Sequence, residues 1–242
     1  MTDAGFYSGL LLAVVFILNY MVYRSKLEKV KTITKPLVMI SIILWTAVTL
    51  EKQIELEAVL LLSAQSFGFL GDVSLLFPKK GFIFGLTAFL FGHLFYIGLI
   101  VMLMIGASPT WDIRWYHWVF LGMGPFAWIL GTVVFLRVFT PALDKRGASR
   151  AFLIALKGYA FVLSGLMGVS IALLWFMPGF VMTWLFVAVG GTLFFLADFL
   201  LAYNRFVGKN DRVHLVSWLC YHTAQISLAW GLVGVINQVV GS

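Results

Sequence analysis

The sequence predicts an all-α fold: a polytopic membrane helix bundle of eight transmembrane helices, with the N- and C-termini on the non-cytoplasmic side. Apolar residues make up 62% of the 242 residues and charged residues only 11%, so most of the chain must face lipid rather than water. Apolar runs that can cross a hydrocarbon core of about 30 Å recur along the whole chain. Lysine and arginine collect in every second connection between these runs, as they do in cytoplasmic loops.

Eight apolar runs approach the roughly 20 residues that a transmembrane helix needs. Nothing between them indicates a separate soluble domain, so residues 1–242 are predicted to form one integral membrane domain. Thr34 and Pro36 are typical of a helix start, and Pro141 of a helix end. Glu51 and Lys52 interrupt the second run, and without that run seven helices would remain. The predicted helices lie near residues 5–23, 36–54, 57–77, 81–105, 115–139, 151–176, 179–203 and 213–240.

The basic residues predict the orientation of the chain. Of the 17 lysines and arginines, fourteen lie around the connections that follow helices 1, 3, 5 and 7. Only Lys52 and Arg114 lie in the opposite connections, and Lys157 lies inside helix 6. This bias places the basic connections in the cytoplasm, and dropping the second helix would break the alternation. The compact loops and the charge bias fit a bacterial inner membrane better than the endoplasmic reticulum.

The formal net charge of +7 does not indicate nucleic-acid binding. The basic residues lie in short connections, without a basic face along which a phosphate backbone could run. Anionic membrane lipid is the partner that this charge favours. Cys220 is the single cysteine, which excludes an intrachain disulfide. The sequence predicts no cofactor and leaves the oligomeric state open.

Of the ten acidic residues, eight lie in loops or at helix ends, and two, Asp72 and Asp198, are embedded within predicted helices. A carboxylate at depth costs about 2.5–3.5 kcal/mol even on permissive insertion scales, so each should face the bundle interior with a partner. Asp72 precedes Phe77 by five residues, and Asp198 precedes Tyr203 by five. Both carboxyl groups are therefore expected about 7–8 Å from the cytoplasmic helix ends. Two interpretations stay open: a functional pair, or acids that only tie helices together.

Polar and aromatic residues accompany both aspartates. Helical spacing places Gln65 and Gly68 on the face of Asp72, and Gly191 and Phe194 on the face of Asp198. The next helix of each half carries further intramembrane polar groups, which are expected to support the site through hydrogen bonds. These residues are His93 and Tyr96 on helix 4, and Tyr221, His222 and Gln225 on helix 8. For each histidine, a packing role is an equally good interpretation.

Lys157 lies about two turns into helix 6 from the cytoplasmic side. It would either neutralise an aspartate or a substrate phosphate, or extend to the membrane interface. A three-histidine zinc site is not predicted, because His117 lies near the outer face and His214 near the cytoplasmic one. A metal site built from aspartate and histidine stays open; it would use Asp72, Asp198, His93 and His222.

Two pairs of segments favour a parallel internal repeat of four plus four helices. FLGDVSLLF and FGHLFYI occur in helices 3 and 4, and FLADFLLAY and CYHTAQI in helices 7 and 8. The aspartate and the histidine of each pair are 21 residues apart in the first half and 24 in the second. Elements four helices apart cross the membrane in the same direction, so the repeat axis would lie along the membrane normal.

These motifs support a family resemblance. FLGDVSLLF, FGHLFYI, GGTLFFLADFLLAYNRF and YHTAQISLAWG resemble the lysoplasmalogenase (YhhN-like) family over the whole architecture. The most specific part is the helix 7 segment with Asp198, Asn204, Arg205 and Phe206, although Ala197 stands where the family often has serine. The resemblance implies that a lysophospholipid is the substrate and that its vinyl ether bond is hydrolysed to a fatty aldehyde and a glycerophospho-ethanolamine or -choline. It also implies that Asp72 and Asp198 are the catalytic pair.

The residues suit this chemistry. A protonated carboxyl group could donate a proton to the β-carbon of the vinyl ether, and an ionised one could stabilise the resulting cation and orient water; either aspartate could take either role. The lipid is expected to enter from the inner leaflet, with its phosphate near Arg205 and with Lys157, Lys79 or Lys80 as a candidate second cation. Two other classes stay open: a proton-coupled lipid carrier or transporter, and a metal-dependent lipid amidase or esterase.

Overall fold

A computed structural model describes residues 3–24, 28–50, 55–77, 81–106, 115–176 and 182–239. Within these ranges the chain forms eight α-helices and one short 3-10 helix, Leu173–Phe176, and no β-strand. The α-helices are α1 (Asp3–Arg24), α2 (Glu28–Thr49), α3 (Leu56–Leu75), α4 (Gly81–Gly106), α5 (Trp115–Asp144), α6 (Arg150–Ala172), α7 (Met182–Phe206) and α8 (Asp211–Val239).

Six helices, α3 to α8, are long and apolar enough to cross a membrane. In α1 and α2 the described side chains give shorter apolar stretches, Tyr7–Val22 and Pro36–Thr49. The predicted all-helical, multi-pass membrane fold is therefore confirmed. The count of eight spans, the position of the termini and the parallel repeat stay predictions.

The second helix differs from its predicted bounds. α2 begins at Glu28 and contains Pro36 in its interior, whereas the sequence predicted a start at the proline. Proline lacks only one N–H donor, and membrane helices tolerate it because neighbouring groups satisfy the freed backbone carbonyl. Residues 51–54 of the predicted helix lie outside the described residues.

The fifth helix also continues past a proline. α5 contains Pro141 and ends at Asp144, five residues beyond the predicted end. The helix terminates in a Schellman motif: the Ala148 N–H donates to the Leu143 carbonyl (3.1 Å) and the Gly147 N–H donates to the Asp144 carbonyl (3.0 Å). Gly147 has a φ of 67°, a conformation that favours glycine. The stop signal is therefore this glycine and not the proline.

The chain divides into two compact units, Met1–Leu99 and Ile100–Ser242, and the division falls within α4. In the first unit α1 packs on α2 and α2 packs on α3. In the second unit α5, α6, α7 and α8 pack in chain order, and α5 also contacts α7. The prediction of one membrane domain stays a prediction.

Glycines set the closest helix contacts of the second unit. A Cβ built on Gly124 of α5 would lie 2.7 Å from the Gly168 carbonyl oxygen of α6. A Cβ built on Gly231 of α8 would lie 2.7 Å from the Thr183 carbonyl oxygen and 2.7 Å from the Val187 nitrogen of α7. Small residues let membrane helices approach this closely, which increases van der Waals contact. α7 and α8 are thereby held against each other.

The predicted orientation can be tested with reporter fusions. In a bacterial host, alkaline phosphatase fused after Ser242 is expected to be active and green fluorescent protein at the same point to be dark, because the C-terminus is predicted to lie outside the cytoplasm. Fusions after Lys209, in a predicted cytoplasmic connection, serve as the matched control and should give the opposite pattern. A fluorescent fusion after Ser242 with inactive phosphatase would contradict the predicted orientation.

Candidate active site

Asp198 lies on the interior face of α7. Gly191, Phe194 and Asp198 are all buried, as their helical spacing predicts, and Asp198 is only 5% exposed. The hydroxyl group of Tyr159 on α6 donates a hydrogen bond to Oδ2 of Asp198, and Tyr159 is itself buried. A buried polar group is costly unless it is hydrogen-bonded, and this contact satisfies one carboxylate oxygen from a neighbouring helix.

Sequence reasoning did not identify Tyr159. One signal was available: Tyr159 lies two residues after Lys157, so the two side chains point about 200° apart on the helix. If Lys157 extends towards the membrane interface, Tyr159 must turn to the interior. In the structure Lys157 is exposed and Tyr159 is buried, so the two side chains do face opposite sides of α6.

Ser217 on α8 was also missed. Its hydroxyl donates to the Ala197 carbonyl oxygen of α7 at 2.8 Å, in a buried position. Ala197 directly precedes Asp198, so this bond ties α8 to the backbone beside the carboxyl group. Ser217 thus holds the α7 backbone directly beside Asp198.

The predicted polar face of α8 is buried in the second unit. Tyr221 packs edge-on against Phe194 of α7, with ring centroids 5.5 Å apart. The Tyr221 hydroxyl group accepts a hydrogen bond from Gln225 Nε2 at 3.5 Å. His222 Nδ1 lies 3.0 Å from the Trp218 carbonyl oxygen. Because a carbonyl only accepts, Nδ1 carries the proton in the neutral ring and Nε2 is the acceptor nitrogen. The α8 face is therefore an ordered polar and aromatic layer beside the Asp198 face of α7.

Asp72 is fully buried on α3 in the first unit. It shares its buried face with Gln65 and Gly68, and Gln65 Nε2 donates to Thr46 Oγ1 of α2 at 2.9 Å. This bond anchors the face of α3 that carries Asp72 against α2.

α4 approaches α3 next to Asp72. A Cβ built on Gly71 would lie 2.6 Å from the ring of Phe89 on α4, so a side chain at this position would require the ring to move. Phe89, His93 and Tyr96 are all buried, and their spacing places them on one face of α4. The predicted supporting residues of α4 therefore lie on the face that packs against the Asp72 segment.

The remaining predicted substrate-binding residues lie at the end of α7. Asn204 Oδ1 accepts a hydrogen bond from the Asn210 N–H at 2.7 Å, so its side chain closes the α7–α8 connection. Arg205 is exposed, and its carbonyl oxygen accepts a hydrogen bond from Arg146 Nη1 at 3.3 Å. Two guanidinium side chains thus belong to the same end of the second unit. Lys79 and Lys80 lie outside the described residues.

Asp72 belongs to the first unit and Asp198 to the second. The matching depth of the two carboxyl groups stays a prediction, as do the roles of all ten predicted site residues. Within either unit, the described residues contain no cluster of three histidine, cysteine, aspartate or glutamate side chains that could hold a metal ion.

Comparison with protein families gives one finding. The sequence model of the YhhN family matches residues 30–232, a range that contains every predicted site residue. A search of curated proteins and a search of solved structures found no match.

Proposed function

Because the chain belongs to the YhhN family, which includes lysoplasmalogenases, we propose that it is an intramembrane hydrolase of lysoplasmalogens. The substrate is a lysophospholipid with a vinyl ether at the first glycerol position. The products are a fatty aldehyde and a glycerophospho-ethanolamine or -choline. The observation that best supports this proposal is a buried carboxyl group on a membrane helix, that of Asp198, with a hydrogen-bond donor built in from a neighbouring helix.

The cost of burial supports a functional role for the aspartates. A carboxylate within a membrane helix costs about 2.5–3.5 kcal/mol on insertion scales, and such residues commonly mark reaction or transport sites. Asp72 is 0% exposed and Asp198 is 5% exposed. Asparagine would make similar interhelical hydrogen bonds without carrying a charge, so packing alone does not explain the acids.

In the proposed reaction, one carboxylic acid donates its proton to the β-carbon of the vinyl ether, which becomes an oxocarbenium ion. Water then adds to the carbon next to the ether oxygen and gives one proton to the ionised carboxylate, leaving a neutral hemiacetal. The hemiacetal C–O bond to glycerol breaks as that proton passes to the leaving oxygen. The hemiacetal hydroxyl returns its proton to the first carboxylate, so an aldehyde forms and both carboxyl groups are restored.

Glycosidases provide a chemical precedent, because they also use two carboxyl groups around an oxocarbenium-like transition state. The proposal assigns proton transfer to the aspartates and cation stabilisation to the ionised one. The apolar helix faces limit access of bulk water to the cation, which strengthens its attraction to the carboxylate.

The position of the lipid follows from charge. We propose that the hydrocarbon chain lies among the helices and that the phosphate is bound at the basic end of the second unit, near Arg205, with Lys157 as a second cation. Both side chains are exposed, as binding to a headgroup at the membrane interface requires. On its charge bias, we propose that the host membrane is a bacterial inner membrane.

A lipid panel tests the proposed function. Purified protein in detergent or vesicles is expected to release fatty aldehyde from a 1-alkenyl lysophospholipid. Matched 1-alkyl and 1-acyl lysophospholipids should release neither aldehyde nor fatty acid, because a saturated ether cannot be protonated at carbon and an ester requires a nucleophile instead. The measurement is aldehyde formation over time, quantified by mass spectrometry.

Two results would contradict the proposal and favour the other classes. Proton-driven uptake of lipid into vesicles without aldehyde would indicate a carrier. Fatty-acid release that stops when a chelator is added, with stoichiometric metal in the purified protein, would indicate a metal-dependent amidase or esterase.

A further inference from the structure

The contact between Tyr159 and Asp198 bears on which of the two aspartates is ionised. The phenol of Tyr159 carries one proton, and the structure directs it at Oδ2 of Asp198. An ionised carboxylate only accepts hydrogen bonds, whereas a protonated one must also place its own proton on an acceptor. A carboxyl group accepts such a bond in either state, but a hydrogen bond to an ionised acceptor is stronger than one to a neutral acceptor, so donation by the phenol favours the anion.

The residues beside Asp198 also contact neighbouring helices. Ser217 donates to the adjacent Ala197 carbonyl oxygen and thereby fixes the backbone from which the carboxyl group extends. On the α5 side, Phe135 and Phe139 pack against the ring of Phe199, with centroids 6.0 and 5.0 Å away. Tyr159 of α6 thus contacts the carboxyl group itself, while α8 and α5 contact the two residues that flank Asp198.

The basic residues of the same helices lie elsewhere. Lys157 of α6 and Arg205 of α7 are exposed, whereas Tyr159 and Asp198 are buried. A neutral hydroxyl group on α6, and not the lysine of that helix, thus makes the observed contact with Asp198. A hydrogen bond of this kind fixes the carboxylate oxygen that accepts it in space.

We propose that Tyr159 is a positioning residue, which holds Asp198 as the carboxylate anion of the catalytic pair, so that Asp72 supplies the proton to the vinyl ether. This inference rests on the proposed hydrolase function. Asp198 then stabilises the oxocarbenium ion and accepts the proton of the attacking water, while Asp72 protonates the β-carbon. Tyr159 acts only through Asp198 and does not touch the reacting atoms.

A double-mutant cycle tests the inference. Tyr159→Phe keeps the ring and removes only the hydroxyl group, and it is expected to lower kcat by about 10–100-fold with KM nearly unchanged, the loss typical when a reactive group loses its hydrogen-bond partner. In an Asp198→Asn background the same substitution should cost no more than about 2-fold, because the residue through which it acts is gone. An equal loss in both backgrounds would overturn the proposal in favour of a general structural role.

Tyr203→Phe provides the matched control. Tyr203 is an exposed tyrosine on α7, so the same loss of a hydroxyl group should leave kcat and thermal stability at their wild-type values. If Tyr203→Phe lowered kcat as much as Tyr159→Phe, the special position of Tyr159 would be refuted.

Infrared spectroscopy tests the charge of Asp198 without any substrate. The difference spectrum between wild type and Asp198→Asn should contain the bands of an ionised carboxylate, and in a Tyr159→Phe background these should give way to the carbonyl band of a protonated acid. A protonated carbonyl band in the wild type, or an anion that persists without the tyrosine hydroxyl group, would overturn the inference. Carboxylate bands that depend on Tyr159 in a protein that releases no aldehyde would remove only the hydrolase function, so the two failures are distinguishable.

Discussion

Asparagine in place of either catalytic aspartate is expected to lower kcat for aldehyde release by about 10²–10⁴-fold, the usual contribution of a general acid or base. Asp72→Asn removes the proton proposed to start the reaction. Asp198→Asn removes the anion proposed to stabilise the cation and accept the proton of water. The amide has the size of the carboxyl group and keeps an oxygen that can accept the Tyr159 hydrogen bond, so folding should be retained.

The measurement is initial aldehyde release by purified variants of equal thermal stability. Asp144→Asn serves as the control, because it removes an exposed carboxylate at the end of α5 and should leave turnover unchanged. Full turnover by Asp72→Asn or by Asp198→Asn in a folded protein would eliminate the two-aspartate mechanism, whatever the family of the chain.

Gly231→Ala is expected to destabilise the protein by about 1–3 kcal/mol, the usual cost of overpacking a close-packed interior. The new methyl group would lie 2.7 Å from both the Thr183 carbonyl oxygen and the Val187 nitrogen. Both atoms belong to the backbone of α7, so no side-chain rotation can relieve the clash. α8 must move away from α7, which weakens the hydrogen bond between Ser217 of α8 and the Ala197 carbonyl oxygen of α7.

Gly158→Ala is the matched control for this substitution. Gly158 also lies in a helix of the second unit, but a Cβ built on it meets nothing within 4 Å. Its replacement should leave the apparent Tm unchanged or slightly raised, since alanine favours a helix over glycine. Thermal unfolding in detergent measures both variants, and an unchanged Tm for Gly231→Ala would contradict the close packing of α7 and α8.

Hydropathy predicts helix bounds most accurately where the apolar run matches the thickness of the bilayer core. α3 and α4 follow their apolar runs closely, because an unsatisfied backbone is costly in hydrocarbon and the helix persists across it. The predicted helix bounds are wrong where they depend on prolines. Pro36 and Pro141 are typical of helix boundaries in water-soluble proteins, but both lie inside helices of this chain.

Helical spacing in the sequence predicts which candidate site residues are buried, but it does not predict which side chains on other helices they contact. An acid at membrane depth must face the interior, so the buried faces of Asp72 and Asp198 could be predicted from spacing. Tyr159 and Asp198 are 39 residues apart, and which side chains meet across two helices depends on their relative rotation and height. Asn204 is another partner that spacing alone could not give: its side-chain oxygen accepts a hydrogen bond from the Asn210 N–H, and its predicted role in substrate binding stays a prediction.

The length of α5 has a consequence for the membrane around it. With 30 residues, α5 extends about 45 Å at 1.5 Å per residue, roughly half as long again as a hydrocarbon core of about 30 Å. A helix that is longer than the hydrocarbon core tilts or extends among the headgroups. The Phe135 and Phe139 rings of α5 pack on Phe199, the residue after Asp198, so we expect a change in the tilt of α5 to shift this segment of α7. Bilayer thickness is therefore part of the physical environment of the carboxyl group.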